Sequence, residues 1–290
     1  MFVFKAAVVG AGVMGGEIAQ VIASADIPVL LKDVKQEFVD KGLEQAREVT
    51  ESQAGKLVKR EKLTQEQADA QIEHTLGLIT GSTAYDDFGD VDFVIEAVPE
   101  QMAIKHAVFA DLDAATPGHA ILASNTSGLS ITEIGDATNR PEQVVGFHFF
   151  WPASYMRLIE VIEGEETSPE TVQAAANFAQ AIRKMPVRCA ECPGFMVNRI
   201  LASTASEIWR FQDETGTDVE EVDRALIEAK LVPMGPFLLA DNSGLDTALK
   251  VARDMRDAYG ERFYVHQGME ELVEQGHLGR KSGKGFYEYS

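Results

Sequence analysis

Two residues of this 290-residue chain bring proton-transfer chemistry into strongly apolar surroundings. His148 sits in Gly146-Phe147-His148-Phe149-Phe150-Trp151-Pro152, and Glu160 in Leu158-Ile159-Glu160-Val161-Ile162. A buried carboxylate needs a partner, and a buried imidazole can supply one. The spacing of 160 − 148 = 12 residues allows two adjacent strands joined by a turn at Pro152-Ala153-Ser154. Paired in that way, Glu160 orients the imidazole and stabilises the imidazolium, and His148 becomes a general base for a hydroxyl proton. The alternative is a core histidine bonded to backbone.

A second constellation lies near the start. Gly10-Ala11-Gly12-Val13-Met14-Gly15 fits G-x-G-x-x-G between an expected strand and an expected helix. Gly10 permits a tight turn, Gly12 lets a pyrophosphate approach the backbone, and Gly15 lets the helix pack on the strand. The pyrophosphate then meets N–H groups at the positive end of the helix. Asp33 closes the second expected strand, 23 residues after Gly10. An acid there binds ribose hydroxyls and repels a 2′-phosphate, so NAD is favoured over NADP, although Lys32 beside it can soften that preference. With a nicotinamide as acceptor, proton loss to His148 and hydride loss together make an alcohol oxidation.

Other candidates carry less. Ala123-Ser124-Asn125-Thr126-Ser127 lies where a strand ends in a polar turn, at the carboxyl edge where such sheets bind ligands; the alternative is a capped turn into a helix near Ser130. Asn198 either caps or cross-links helices, or faces an interdomain cleft. Cys189 and Cys192 form Cys-Ala-Glu-Cys. A redox pair would need that motif at a helix start, and zinc would need two more ligands nearby. The reading is two reduced residues at a strand end, and no metal site.

The elements that must position these groups alternate short apolar runs with amphipathic stretches, the pattern of βαβ units and a parallel sheet. Strands are expected over 3–9, 27–31, 91–96, 119–124, 144–149 and 157–162, with helices over 12–25 and 100–115. Residues 36–76 are polar and read as a helical arm standing off the sheet, with Thr64 an N-cap inside it. Ser168-Pro169-Glu170 opens a further helix with proline at its first position. From Pro193 the pattern becomes predominantly helical. The expectation is α/β: a Rossmann-type doubly wound sheet over 1–189, then an all-α domain over 190–290, with the active site in the cleft between them.

Composition excludes several classes. Hydrophobic residues are 45% and charged residues 25%, ordinary for a globular chain. No run of about 18 apolar residues predicts a membrane span, and the start lacks the order of a secretory signal. The expected localisation is cytoplasmic. Lys+Arg number 26 and Asp+Glu 46, a net charge of −20. Such acidity argues against nucleic acid or an anionic membrane as partner. If the ligands are themselves anions, positive potential must be confined to a few places. The expected ones are the loop at 10–15, the arm near 56–62, Lys105 and Lys281.

In order and spacing the motifs resemble the L-3-hydroxyacyl-CoA dehydrogenase family, short NAD-dependent enzymes of fatty-acid β-oxidation and related pathways. The resemblance runs through GAGVMGG at 10–16, IEAVPE at 95–100, SNTSGLSI at 124–131, HFFWP at 148–152 and LIEVI at 158–162. It continues through CPGFMVNR at 192–199, PMGPF at 233–237, GLD at 244–246 and GRKSGKGFYEY at 279–289. It implies a catalytic His148 and Glu160, a substrate-hydroxyl-binding Ser127 and an active-site Asn198. Cofactor contacts are implied for Gly10, Gly12, Val13, Met14, Gly15, Asp33, Glu100, Lys105 and Lys281. The helical domain is implied to form a homodimer, and the arm, with Lys56, Lys59 and Arg60, to meet the CoA end of an acyl-CoA. Trp151 departs from the family, whose motif reads His-Phe-Phe-Asn-Pro. Either Trp151 stacks near the nicotinamide or acyl chain, or it points into packing and a neighbour such as Ser154 serves instead.

The expected reaction is oxidation of an L-3-hydroxyacyl-CoA to the 3-oxoacyl-CoA. Two alternatives compete. One is a dehydrogenase of a small free L-3-hydroxy acid, against which stand Phe149, where that group has proline, and the basic arm. The other is a non-catalytic nucleotide-binding protein of the same fold.

Overall fold

The computed structural model describes residues 2–289. The chain divides into two compact units, one running to Cys192 and one beginning at Pro193. The first is built as β1 (Ala6–Val9), α1 (Val13–Ala23), β2 (Val29–Lys32), α2 (Gln36–Lys59), α3 (Gln65–Gly77), β3 (Ile79–Ser82), β4 (Phe93–Glu96) and α4 (Met102–Ala115). It continues as β5 (Ile121–Ser124), α5 (Ile131–Gly135), β6 (Val144–Phe149), β7 (Leu158–Glu163), α6 (Pro169–Ala181) and β8 (Met185–Ala190). The eight strands form one sheet in the order β3-β2-β1-β4-β5-β6-β7-β8. Strands β1 to β6 are parallel; β7 runs antiparallel to β6, and β8 parallel to β7.

The central strands are buried on both faces, which is why they read as unbroken apolar runs. The rings of Phe93, Phe147 and Phe178 pack together, with centroids 4.5 to 5.9 Å apart, and α1 lays Ile18 and Ile22 on the same core. The arm is the hairpin of α2 and α3. Thr64 caps α3, its hydroxyl accepting from the Gln67 N–H while the Gln67 side chain accepts from the Thr64 N–H. Ser168 caps α6 ahead of Pro169.

Several elements differ from the sequence expectation. The first strand is ordered as β only over Ala6–Val9, with Phe2 and Phe4 exposed before it. Strands β3 and β8, the two sheet edges, carry little apolar pattern. β3 is Ile-Thr-Gly-Ser, and β8 is half-exposed and contains Pro186, a residue confined to such edges.

The second unit is helical: α7 (Val197–Thr215), α8 (Val219–Glu228), α9 (Pro236–Ser243), α10 (Leu245–Tyr259) and α11 (Gln267–Glu274). Trp209, Phe237, Leu245, Leu249 and Met269 form its core. Among the described residues no helix is long and apolar enough to cross a membrane.

Candidate active site

The sheet order reverses between β1 and β4, where α/β sheets open a crevice beyond the strand ends. The turn from β1 into α1 fills this point. Gly10 has φ +103°, and a Cβ there would lie 2.5 Å from the Ala97 carbonyl oxygen beyond β4. A Cβ on Gly15 would lie 1.7 Å from the Gly10 oxygen, so the helix packs on the turn only because residue 15 is glycine. Gly12 faces open space, no side chain caps α1, and no acid occupies its first turn. That leaves an uncapped, positive helix end for an anion. A cavity of about 820 Å³ opens over it, lined by Gly10 to Met14, Asp33, Val34, Phe38 and Ala97 to Pro99.

Asp33 follows β2 directly. Its carboxylate accepts from the N–H of Ala11 at 2.7 Å and of Val34 at 2.6 Å, which fixes it at the cavity wall. Lys32 lines the same cavity, and the Asp33 charge acts on its ammonium. The Lys32 ammonium lies 4.0 Å from the centre of the Tyr85 ring, in a site whose burial lowers its pKa against the pull of Asp111 and Asp33. The cradle and the acid fit the pyrophosphate and ribose of NAD.

At the ends of β4 and β5 a buried polar network replaces the isolated groups expected from sequence. Glu96 is fully buried at the end of β4. It accepts from Lys105 Nζ at 2.7 and 2.9 Å, from the Ser124 hydroxyl at 2.6 Å and from the Val98 N–H at 2.7 Å. Lys105 also reaches Glu100 at 3.2 Å. Glu100 accepts from the Thr126 hydroxyl at 2.6 Å and from the N–H and hydroxyl of Ser127 at 3.0 and 3.3 Å. Burial acts to raise the Glu100 pKa, but Lys105 and these donors outweigh it and hold it low.

The positive potential expected at Lys105 is therefore cancelled by two carboxylates. Lys281 in the second unit is paired with one carboxylate, bound by both oxygens of Asp246 at 2.5 and 2.7 Å. The basic stretch at Lys56, Lys59 and Arg60 is solvent-exposed at the end of α2.

Beside this network stand the two residues that sequence placed together. β6 and β7 pair with His148 directly opposite Glu160. Such cross-strand partners bring their Cβ atoms within about 5 Å. His148 Nδ1 lies 2.8 Å from Glu160 Oε2, with the His148 side chain 8% exposed and that of Glu160 0%. The register is held on the other side by Asn125, whose side-chain oxygen accepts from the Phe149 N–H at 2.8 Å.

Ser127 is exposed just past β5, and Asn198 lies in the first turn of α7 in the second unit. Cys189 lies in β8 and Cys192 beyond it, both half-buried. Trp151, on the turn after β6, is 66% exposed, which removes the alternative in which it points into packing. Glu96 was not singled out from sequence, although it ends an apolar run as conspicuously as Glu160 interrupts one; Ser124, in the polar cluster noted there, is its hydroxyl partner.

A glycine cradle at the switch point of a doubly wound sheet, with a buried imidazole–carboxylate pair on β6 and β7, makes the first unit a Rossmann-type domain. The chain belongs to the 3-hydroxyacyl-CoA dehydrogenase family: residues 5–192 match its NAD-binding domain and residues 194–289 its C-terminal domain. It is 41% identical over 286 residues to a probable 3-hydroxybutyryl-CoA dehydrogenase of Deinococcus radiodurans, covering 98% of this chain and 100% of that protein. It is 41% identical over 287 residues to the fatty acid oxidation complex subunit alpha of Psychrobacter sp., of which it spans 38%. The structure of (S)-3-hydroxybutyryl-CoA dehydrogenase from Ralstonia eutropha superposes with a TM-score of 0.92 at 36% identity, over the whole of both chains.

Proposed function

We propose that this chain oxidises an L-3-hydroxyacyl-CoA to the 3-oxoacyl-CoA with NAD, reversibly, with His148 as the general base. The observation that carries the reading is the His148–Glu160 pair, 2.8 Å apart in cross-strand register. A carboxylate only accepts, so Nδ1 carries a proton and donates it to Glu160; Nε2 is then the ring's acceptor, the atom that takes the hydroxyl proton. Bound NAD supplies the hydride acceptor. As the proton arrives, the buried Glu160 charge stabilises the imidazolium.

Ser127 and Asn198 position the substrate oxygens, and Gly10, Gly12, Val13, Met14, Gly15 and Asp33 hold the cofactor. Glu100 and Lys281 complete its contacts as ion-paired, hydrogen-bonding groups rather than as free charges, and Lys105, buried against Glu96 and Glu100, acts by holding Glu100 rather than by touching the cofactor. Lys56, Lys59 and Arg60 meet the phosphates of CoA; their exposure on an otherwise acidic chain supports this. The protein works as a cytoplasmic homodimer, a state supported by the exposed Ile200, Leu201, Phe211 and Leu231 of the helical unit.

The test is a side-by-side assay of acetoacetyl-CoA and acetoacetate with NADH. The thioester is expected to be reduced at least about tenfold faster in kcat/KM, a discrimination of roughly 1.4 kcal/mol. Equal or faster reduction of the free acid overturns the reading.

A further inference from the structure

The turn that follows His148 is held by two buried charges from different elements. Lys184, between α6 and β8, is 9% exposed, and its ammonium donates to the carbonyls of Ala153 at 2.6 Å and Met156 at 2.7 Å. Glu17, in the second turn of α1, is 6% exposed and accepts from the Ser154 N–H at 2.9 Å. Three stations of the turn, 153, 154 and 156, are thus fixed from behind, while Trp151 and Tyr155 project outward at 66% and 77% exposure. Burial depresses the Lys184 pKa, and the Glu17 charge works against that.

Buried charges carry a desolvation cost that apolar side chains of equal volume avoid. What the charges supply here is direction: each binds a named backbone atom, which packing alone would not fix. The turn closes the hairpin in which Phe149–Ile159 is the last pair and His148–Glu160 the next. Motion of the turn frays that end first, and with it the imidazole–carboxylate geometry. Glu17 sits on the helix that opens on the glycine cradle, so the same device ties the cofactor helix to the base.

We propose that Lys184 and Glu17 are positioning residues for the reaction, clamping the β6–β7 turn so that the His148–Glu160 pair keeps its register with α1. The inference rests on the reading of His148 as base.

The experiment uses the full chain carrying Trp209→Phe, which leaves Trp151 as the reporter, since the chain has two tryptophans. Trp209 Nε1 has no hydrogen-bond partner among the described residues, so phenylalanine orphans nothing. In this background Lys184→Met is expected to lower kcat roughly 10- to 100-fold, the loss that a displacement of about 1 Å brings. The Kd for NAD is expected to stay within about twofold, and Trp151 fluorescence anisotropy to fall, because the turn loosens while the cradle stays. Glu17→Gln keeps an acceptor but loses the charge, and is expected to give a smaller loss of the same kind.

Combined, the two changes are expected to cost less than the product of their separate effects. Turnover within about threefold of the parent in folded Lys184→Met, or a kcat loss with unchanged anisotropy, overturns the proposal. If Lys184→Met does not fold, unchanged kcat in Glu17→Gln overturns it. His148→Gln is run alongside: turnover retained there defeats the base assignment and this inference together. Turnover lost there but kept in Lys184→Met defeats the clamp alone.

Discussion

Replacing Glu160 by glutamine removes one negative charge and little else. The side chain keeps its volume and an oxygen that can accept from His148 Nδ1, so the hydrogen bond at 2.8 Å has a successor. What disappears is the attraction between carboxylate and imidazolium as the proton arrives. With charge centres about 4 Å apart and an effective dielectric of about 20, that attraction is roughly 4 kcal/mol. Loss of about 4 kcal/mol from the transition state corresponds to roughly 10³-fold in the rate of hydride transfer. Complete burial of Glu160 keeps water from replacing the lost charge. The assay is single-turnover formation of reduced nicotinamide at saturating NAD and L-3-hydroxybutyryl-CoA, which separates chemistry from product release. The amide leaves a donor to satisfy, so thermal unfolding is followed in parallel; a cost of about 1–3 kcal/mol in stability is expected. A folded Glu160→Gln protein whose hydride-transfer rate stays within about fivefold of wild type would refute the electrostatic role.

Other consequences follow from the same geometry. Asp33→Ala removes the acceptor that binds the Ala11 N–H and walls the cavity; NAD affinity is expected to fall about tenfold and the preference over NADP to shrink, measured as the two Kd values. Lys105→Met strands the fully buried Glu96 carboxylate, at a cost of about 3–5 kcal/mol; a fall of roughly 10 °C in Tm is expected by calorimetry, and a fall under about 2 °C would contradict it.

His266 also links stability to pH. Burial holds its pKa below 6.5 although Asp213 opposes the shift, and its Nδ1 accepts from the Met269 N–H, which requires the neutral ring. The unfolded chain therefore binds the proton first. Stability supplied by this residue is present above about pH 6.5 and is lost as pH falls from there toward the lower folded value. Denaturant unfolding between pH 7.5 and 5 (roughly) should show a slope that His266→Gln flattens; identical slopes would refute the assignment.

Much of this was legible because burial conflicts with charge. His148 and Glu160 stood out as polar residues in apolar runs, and the hairpin that joins them followed from their spacing. The glycine loop was legible because its strand and helix flank it. The edge strands were not: Gly81 in β3 and Pro186 in β8 carry the marks of loops, and pairing with a neighbour, not local preference, makes them strands.

Lys105 and Lys281 read as places of positive potential, and Lys184 was not singled out, because sequence does not show that a carboxylate or carbonyl folds against them. Lys105 in particular looked like a source of positive potential and is a neutralised member of the Glu96 network. With those two cations neutralised, the proposed anion sites on a chain of net charge −20 are the uncapped end of α1, with Lys32 and Lys41 in the cavity lining beside it, and the exposed arm.

The most direct measurement is steady-state formation of reduced nicotinamide from L-3-hydroxybutyryl-CoA and NAD by wild-type protein and by His148→Gln. NAD-dependent turnover is expected in the wild type and a fall in kcat of about 10²–10⁴-fold in the variant, with NAD affinity nearly unchanged. Near-normal turnover by a folded His148→Gln protein would contradict it.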